Sequence, residues 1–156
     1  MERKYAEFAA TKACELLAID SPSGYTQKAA TWVKEAFEAL GFAAKITTKG
    51  GVLADLGGAD KDDALFLQAH TDTLGAMVAE IKANGRLKLT PLGGLRAENA
   101  ETENVRVHTR TGKIIEGTVQ LCNASVHVNG EYGEAKRTFD TVEAVLDEDV
   151  KTAEAT

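Results

Sequence analysis

Ala64-Leu65-Phe66-Leu67-Gln68-Ala69-His70-Thr71-Asp72 is an almost continuous apolar run that closes on a histidine and a carboxylate, and the expected architecture turns on it. Such a run reads as a strand buried on both faces, as an interior strand of an α/β sheet is. Alternate residues of an extended chain point the same way, so His70 and Asp72 share a face at the strand's end. A neutral imidazole can ligate a metal through one nitrogen while a carboxylate accepts the proton of the other, which sets tautomer and ring orientation. His70 is therefore a candidate metal ligand, and Asp72 the candidate residue that orients it.

Upstream, Tyr5, Phe8, Ala9, Ala13, Leu16 and Leu17 recur at helical spacing between Glu2 and Ile19. Asp20-Ser21-Pro22-Ser23-Gly24 stops that helix, because proline cannot continue the ladder and glycine permits a turn. A second helix is expected from Thr26 to Leu40, burying Trp32, Val33, Ala36, Phe37 and Leu40 and ended by Gly41. Phe42 to Thr48 and Val52 to Leu56 read as two strands joined at Lys49-Gly50-Gly51, and the acidic stretch around Asp60, Asp62 and Asp63 as a solvated loop. That stretch lacks the spacing of a calcium-binding loop, and neither Gly50-Gly51 nor Gly57-Gly58 has the spacing of a phosphate cradle.

Downstream of Asp72 the helical signal gives way to short strands with turn residues, so a domain boundary falls there, after residues 1–72. Ala76 to Lys82 and Arg86 to Leu92 flank Asn84-Gly85, a two-residue hairpin signal; Val105 to Arg110 and Lys113 to Leu121 flank Thr111-Gly112. Ala124 to Val128 and Val142 to Leu146 read as further strands, and Asp147-Glu148-Asp149 as a helix start. Several short strands of this kind imply a small barrel or sandwich.

The 156 residues are 44% hydrophobic and 27% charged, which suits a globular chain. A net charge of -6 with scattered Lys and Arg argues against a nucleic-acid partner. No apolar run approaches the roughly 18 residues of a membrane span, and the charged N-terminus does not read as a signal peptide, so a cytoplasmic location is expected. Cys14 and Cys122 lack zinc or redox spacing and read as two buried free thiols. Ser21 and Ser23 are nucleophiles by residue type only, Trp32 reads as core, and His108 and His127 read as strand histidines without a ligand role.

The order of elements, with His70-Thr71-Asp72-Thr73-Leu74-Gly75-Ala76-Met77-Val78, resembles the deblocking, or tetrahedral, metallo-aminopeptidase family, some of whose members carry the names glutamyl aminopeptidase or endoglucanase. Ser21-Pro22-Ser23-Gly24 is similar to that family's Pro-Ser-Gly turn, Leu92-Gly93-Gly94 to the Gly-Gly closing the first hairpin of its inserted domain, and Val142-Glu143-Ala144-Val145-Leu146-Asp147 to its returning strand. The resemblance implies an α/β fold: part of a zinc-exopeptidase-like catalytic domain over 1–72, a small all-β insert, barrel or PDZ-like, for dimerisation and assembly over 73–141, and a return strand with the start of a connecting segment over 142–156.

It also implies a two-metal exopeptidase, with zinc or cobalt, that trims short peptides and self-assembles through the insert. His70 takes the family's ligand position and Asp72 the position that orients it. The bridging Asp, the adjacent Glu pair and the later Asp and His of the family are expected beyond Thr156, and no Glu-Glu pair replaces them. Zinc sites need three or four protein ligands, so the chain alone is expected to bind metal weakly or not at all and to be catalytically inactive. Two other readings stand beside this one: a non-catalytic assembly or peptide-binding module, and the amidohydrolase and carboxypeptidase family that also uses His-x-Asp.

Overall fold

The computed structural model describes residues 2–60 and 62–156, which form two compact units, Met1–Leu74 and Gly75–Thr156. In the first, α1 (Arg3–Leu17) and α2 (Gln27–Ala39) precede a hairpin of β1 (Ala43–Ile46) and β2 (Val52–Asp55). The apolar spacing of α2 places Ala29 and Ala30 fully inside and half-buries Trp32, Val33, Ala36 and Phe37 as the helix packs on β1 and β2. Gly41 ends it as expected: its amide donates to the Glu38 carbonyl at 2.9 Å and the Phe42 amide to the Phe37 carbonyl at 3.1 Å, which satisfies carbonyls a helix end would otherwise leave open. The predicted first helix forms too, but it buries no residue and meets α2 lightly, with the Lys12 ammonium 5.5 Å from the Trp32 ring. Tyr5, Phe8 and Leu17 on its apolar stripe stay exposed, as does Leu40 at the end of α2.

The strand expected at Ala64 to Ala69 does not form. Leu65, Phe66 and Leu67 are 85%, 70% and 74% exposed, and no ladder partner lies beside them. A strand buried on both faces takes its hydrogen bonds and its cover from neighbouring elements. The strands this unit contains, β1 and β2, pair with each other.

The second unit holds β3 (Gly75–Ile81), β4 (Leu87–Leu92), the single turn α3 (Ala97–Ala100), β5 (Asn104–His108), β6 (Ile114–Leu121) and β7 (Val142–Leu146). Its five strands run antiparallel in the order β3-β4-β7-β6-β5, so the chain as a whole is mixed α/β. Alternation puts Leu87 and Leu89 of β4, Val119 and Leu121 of β6, and Val142, Ala144 and Leu146 of β7 into one core with Ala97 and Ala100. Val142–Leu146, the start of the segment read as returning, supplies the sheet's central strand. Ala124 to Val128 is a turn, and the acidic residues after Asp147 open no helix.

The hairpins sit where the glycines place them, with one correction. Asn84-Gly85 is not a two-residue turn: the Gly85 amide donates to the Lys82 carbonyl and the Lys82 amide to the Arg86 carbonyl, both at 2.8 Å. That is a three-residue loop in which Gly85, at φ +78°, takes the left-handed position. Thr47 to Gly51 and Thr109 to Lys113 repeat the pattern. Both cysteines are free, but exposed rather than buried: Cys14 lies on the uncovered face of α1, and Cys122 lies just past β6 with its Sγ 3.8 Å from the Lys82 ammonium.

Thr102, just after α3, holds φ +73° while its amide donates to the Val119 carbonyl at 2.7 Å. A β-branched residue is strained there. Thr102→Gly is therefore expected to stabilise this unit by about 1 kcal/mol and raise its melting temperature by roughly 4–8 °C, measured by thermal unfolding. A drop in melting temperature would show that the threonine is not strained.

Candidate functional site

The site is built on two short segments laced side by side. Pro22 to Tyr25 forms a turn closed by the Tyr25 amide on the Pro22 carbonyl at 2.8 Å, with Gly24 at φ +89° in the position that needs glycine. Along its leading edge the Thr73 amide donates to the Ser21 carbonyl at 2.9 Å, and Pro22 and Thr73 make a parallel bridge. The Ser21 hydroxyl, fully buried, donates to the Thr71 carbonyl at 3.0 Å. Residues 71–73 are thereby fixed without belonging to a strand.

His70 and Asp72 come together on this platform, as read from the sequence. Nδ1 of His70 lies 3.1 Å from Oδ1 of Asp72 and 3.2 Å from the Asp72 carbonyl oxygen. Both neighbours only accept when the carboxyl is ionised, so Nδ1 carries the proton and Nε2 presents its lone pair. The Asp72 carboxyl is held below its ordinary value of 3.8 chiefly by a hydrogen bond from Ser23, which with the weaker contribution of His70 outweighs the opposing effect of burial. It is therefore ionised at neutral pH, as this tautomer requires. The Ser23 hydroxyl donates to Asp72 Oδ2 at 2.6 Å.

That last contact was missed by sequence reasoning, which weighed Ser21 and Ser23 only as nucleophiles. Neither serine faces an imidazole; each donates to an acceptor in residues 71–72. The usable signal was the Pro22-Ser23-Gly24 turn itself, whose polar member had to find a partner. His108 closes β5 and His127 lies in the turn after β6. Two cavities, of about 190 Å³ and 330 Å³, lie in the second unit and are lined by neither His70 nor Asp72.

The donors present decide whether a metal fits. With its Nδ1 engaged by Asp72, His70 keeps Nε2 for other contacts, but among the described residues no three His, Cys, Asp or Glu side chains converge on one point. The chain offers one corner of a coordination sphere, not a complete one.

A second charged cluster was also missed. Glu143, the second residue of the otherwise apolar strand Val142–Leu146, is 1% exposed and takes Lys82 Nζ and Arg86 Nη1 on its two oxygens at 2.5 Å each. Burial raises its carboxyl, but the hydrogen bonds from Lys82 and Arg86 outweigh burial and hold it below its ordinary 4.5. The carboxylate lies inside the sheet and serves packing of the second unit.

These two units have the architecture of aminopeptidases. An aminopeptidase from the archaeon Desulfurococcus kamchatkensis superposes with a TM-score of 0.74 at 23% identity, over 90% of this chain and 37% of its own. A structure described as PhTET1-12s, a dodecamer in its asymmetric unit, superposes at 0.71 with 19% identity, over 90% of this chain and 40% of that one. In sequence, the aminopeptidase homologue YhfE of Bacillus subtilis (strain 168) is 40% identical over 136 residues, 87% of this chain and 39% of YhfE. The chain belongs to the M42 glutamyl aminopeptidase family, whose profile matches residues 50–156. It spans about two fifths of the length of YhfE.

Proposed function

We propose that this chain is the N-terminal part of a two-metal aminopeptidase, in which His70 ligates a divalent cation through Nε2 and Asp72 holds the imidazole in the ligating tautomer. The observation that carries this reading is the double acceptor contact at Nδ1, which leaves Nε2 as the bare nitrogen. The family match supports the aminopeptidase over the His-x-Asp amidohydrolase. When bound, the metal ions supply polarisation of the scissile carbonyl and a water of lowered pKa. The residues present contribute one ligand and its orientation, and no step of hydrolysis is derived from them.

Residues 1–72 belong, in this reading, to a zinc-exopeptidase-like catalytic domain, and 73–141 to an assembly insert from which 142–156 leads back. β3, an edge strand with Met77, Val78 and Ile81 exposed, supports self-association of the insert. Two free cysteines suit a reducing, cytoplasmic setting; no helix among the described residues is long and apolar enough to cross a membrane. The substrate class is short peptides with a free N-terminus.

The site is tested without activity. Zinc titrated into the chain carrying ¹⁵N-histidine is expected to move the His70 Nε2 resonance at millimolar metal and to leave His108 and His127 in place. No movement of His70 at that concentration overturns the ligand role. The chain is also expected to release no amino acid from aminoacyl p-nitroanilides above a His70→Ala control, at any zinc or cobalt concentration. Metal-dependent release above that control would show that the remaining ligands are not needed.

A further inference from the structure

We propose that Ser23 is a positioning residue for His70, acting through Asp72. The His70 side chain is 85% exposed, so packing does not hold the ring and its orientation depends on hydrogen bonds alone. Those bonds come from Asp72, whose side chain is itself 41% exposed and would otherwise turn freely and exchange partners with water. Ser23 removes that freedom by donating to Oδ2 at 2.6 Å, a charge-assisted contact that leaves Oδ1 as the oxygen presented to Nδ1.

The hydroxyl is delivered by a rigid support. Ser23 is the second residue of the turn closed from Tyr25 to Pro22, and the preceding Ser21 is tied to Thr71 and Thr73 by two further bonds. Loop and histidine segment therefore move as one body, and Ser23 converts the stiffness of that body into a single orientation of Asp72. Free histidine in water favours the proton on Nε2; the opposite tautomer at His70 has to be imposed. The role presupposes the ligand reading of His70 only for its purpose, since the coupling from Ser23 to the imidazole is a property of this chain with or without metal.

The test reads the tautomer directly, by long-range ¹H–¹⁵N correlation of the histidine ring in the metal-free chain at a pH where the imidazole is neutral. The unaltered chain is expected to show mainly the Nδ1–H form. Ser23→Ala is expected to shift the ratio of Nδ1–H to Nε2–H toward the free-histidine distribution by roughly three- to tenfold, and Ser23→Thr to restore it. Exchange protection of the Thr73 amide, which depends on Ser21 and not on the Ser23 hydroxyl, is expected to persist in both variants.

An unchanged ratio in Ser23→Ala overturns the proposal. So does Ser23→Thr behaving like Ser23→Ala, and so does loss of Thr73 protection along with the ratio, which would make Ser23 a structural residue of the turn. Failure of the ligand reading shows elsewhere, as a His70 resonance that ignores zinc while Ser23→Ala still moves the tautomer.

Discussion

Gly117→Ala is expected to destabilise the second unit by about 3 kcal/mol, and Gly117→Val to unfold it. Gly117 lies on β6, paired with Val105 on one side and Leu146 of the central strand on the other. A methyl built there runs into the Val145 carbonyl oxygen and stands 3.2 Å from both the Val145 carbonyl carbon and Leu146 Cα. All three are backbone atoms of a strand held in a ladder, so the added carbon cannot be accommodated by turning a side chain. The strand must shift, and with it the register that packs Val119 and Leu121 against Val142 and Ala144. For a unit of this size the alanine variant should melt roughly 12–24 °C lower. Gly94→Ala is the matching control, since a methyl there meets nothing within 4 Å. Equal melting temperatures for Gly117→Ala and the control would show that the two strands are not in van der Waals contact at this point.

Replacing both Lys82 and Arg86 by methionine is expected to cost about 3–5 kcal/mol at neutral pH, because it leaves the Glu143 carboxylate buried and unpaired. The pH dependence gives the sharper test. In the unaltered chain Glu143 titrates below its ordinary 4.5, so its contribution is present above that value and is lost as pH falls through the lower folded value. Lys82 titrates above its ordinary 10.5, through its hydrogen bond to Glu143 and against burial, so its contribution is present below that value and is lost as pH rises through the higher folded one. The cluster therefore stabilises fully between about 4.5 and 10.5. In the double variant burial acts alone and the Glu143 value rises, so the sign inverts: stability should increase as pH is lowered from 8 toward 5. Urea unfolding at several pH values checks this. Glu143→Gln should cost less than the double variant, because Lys82 and Arg86 both reach solvent when released. A double variant whose stability still falls on acidification would mean that Glu143 finds another cation.

Much of the fold was legible locally. Helical spacing around Trp32 and Phe37, with Gly41 after Leu40, located α2 to within two residues at either end. Hairpin glycines located four of the five strands of the second unit, because a turn that needs φ near +80° is written in one residue. The errors fall where the outcome depends on distant partners. Leu65, Phe66 and Leu67 have strand composition, but composition supplies neither the ladder nor the cover, and the run stays exposed. Ala124 to Val128 alternates like a strand and is used as a turn. Cys14 and Cys122 are apolar by type and exposed by placement.

The site divides in the same way. His70 and Asp72 were readable because two residues apart in extended chain is a local distance, and their contact at 3.1 Å needs no other element. Ser23 and Asp72 are 49 positions apart, and Lys82 and Glu143 are 61, so nothing in the order of residues announces either pairing. By itself the sequence determined the two helices, the glycine-marked hairpins, and where an imidazole and a carboxylate stand side by side. Only the tertiary structure decided which oxygen of Asp72 faces the imidazole, and that Glu143 is the carboxylate buried among the described residues. Both are set by hydrogen bonds closed across long loops, and such bonds exist only once the backbone has brought their ends together.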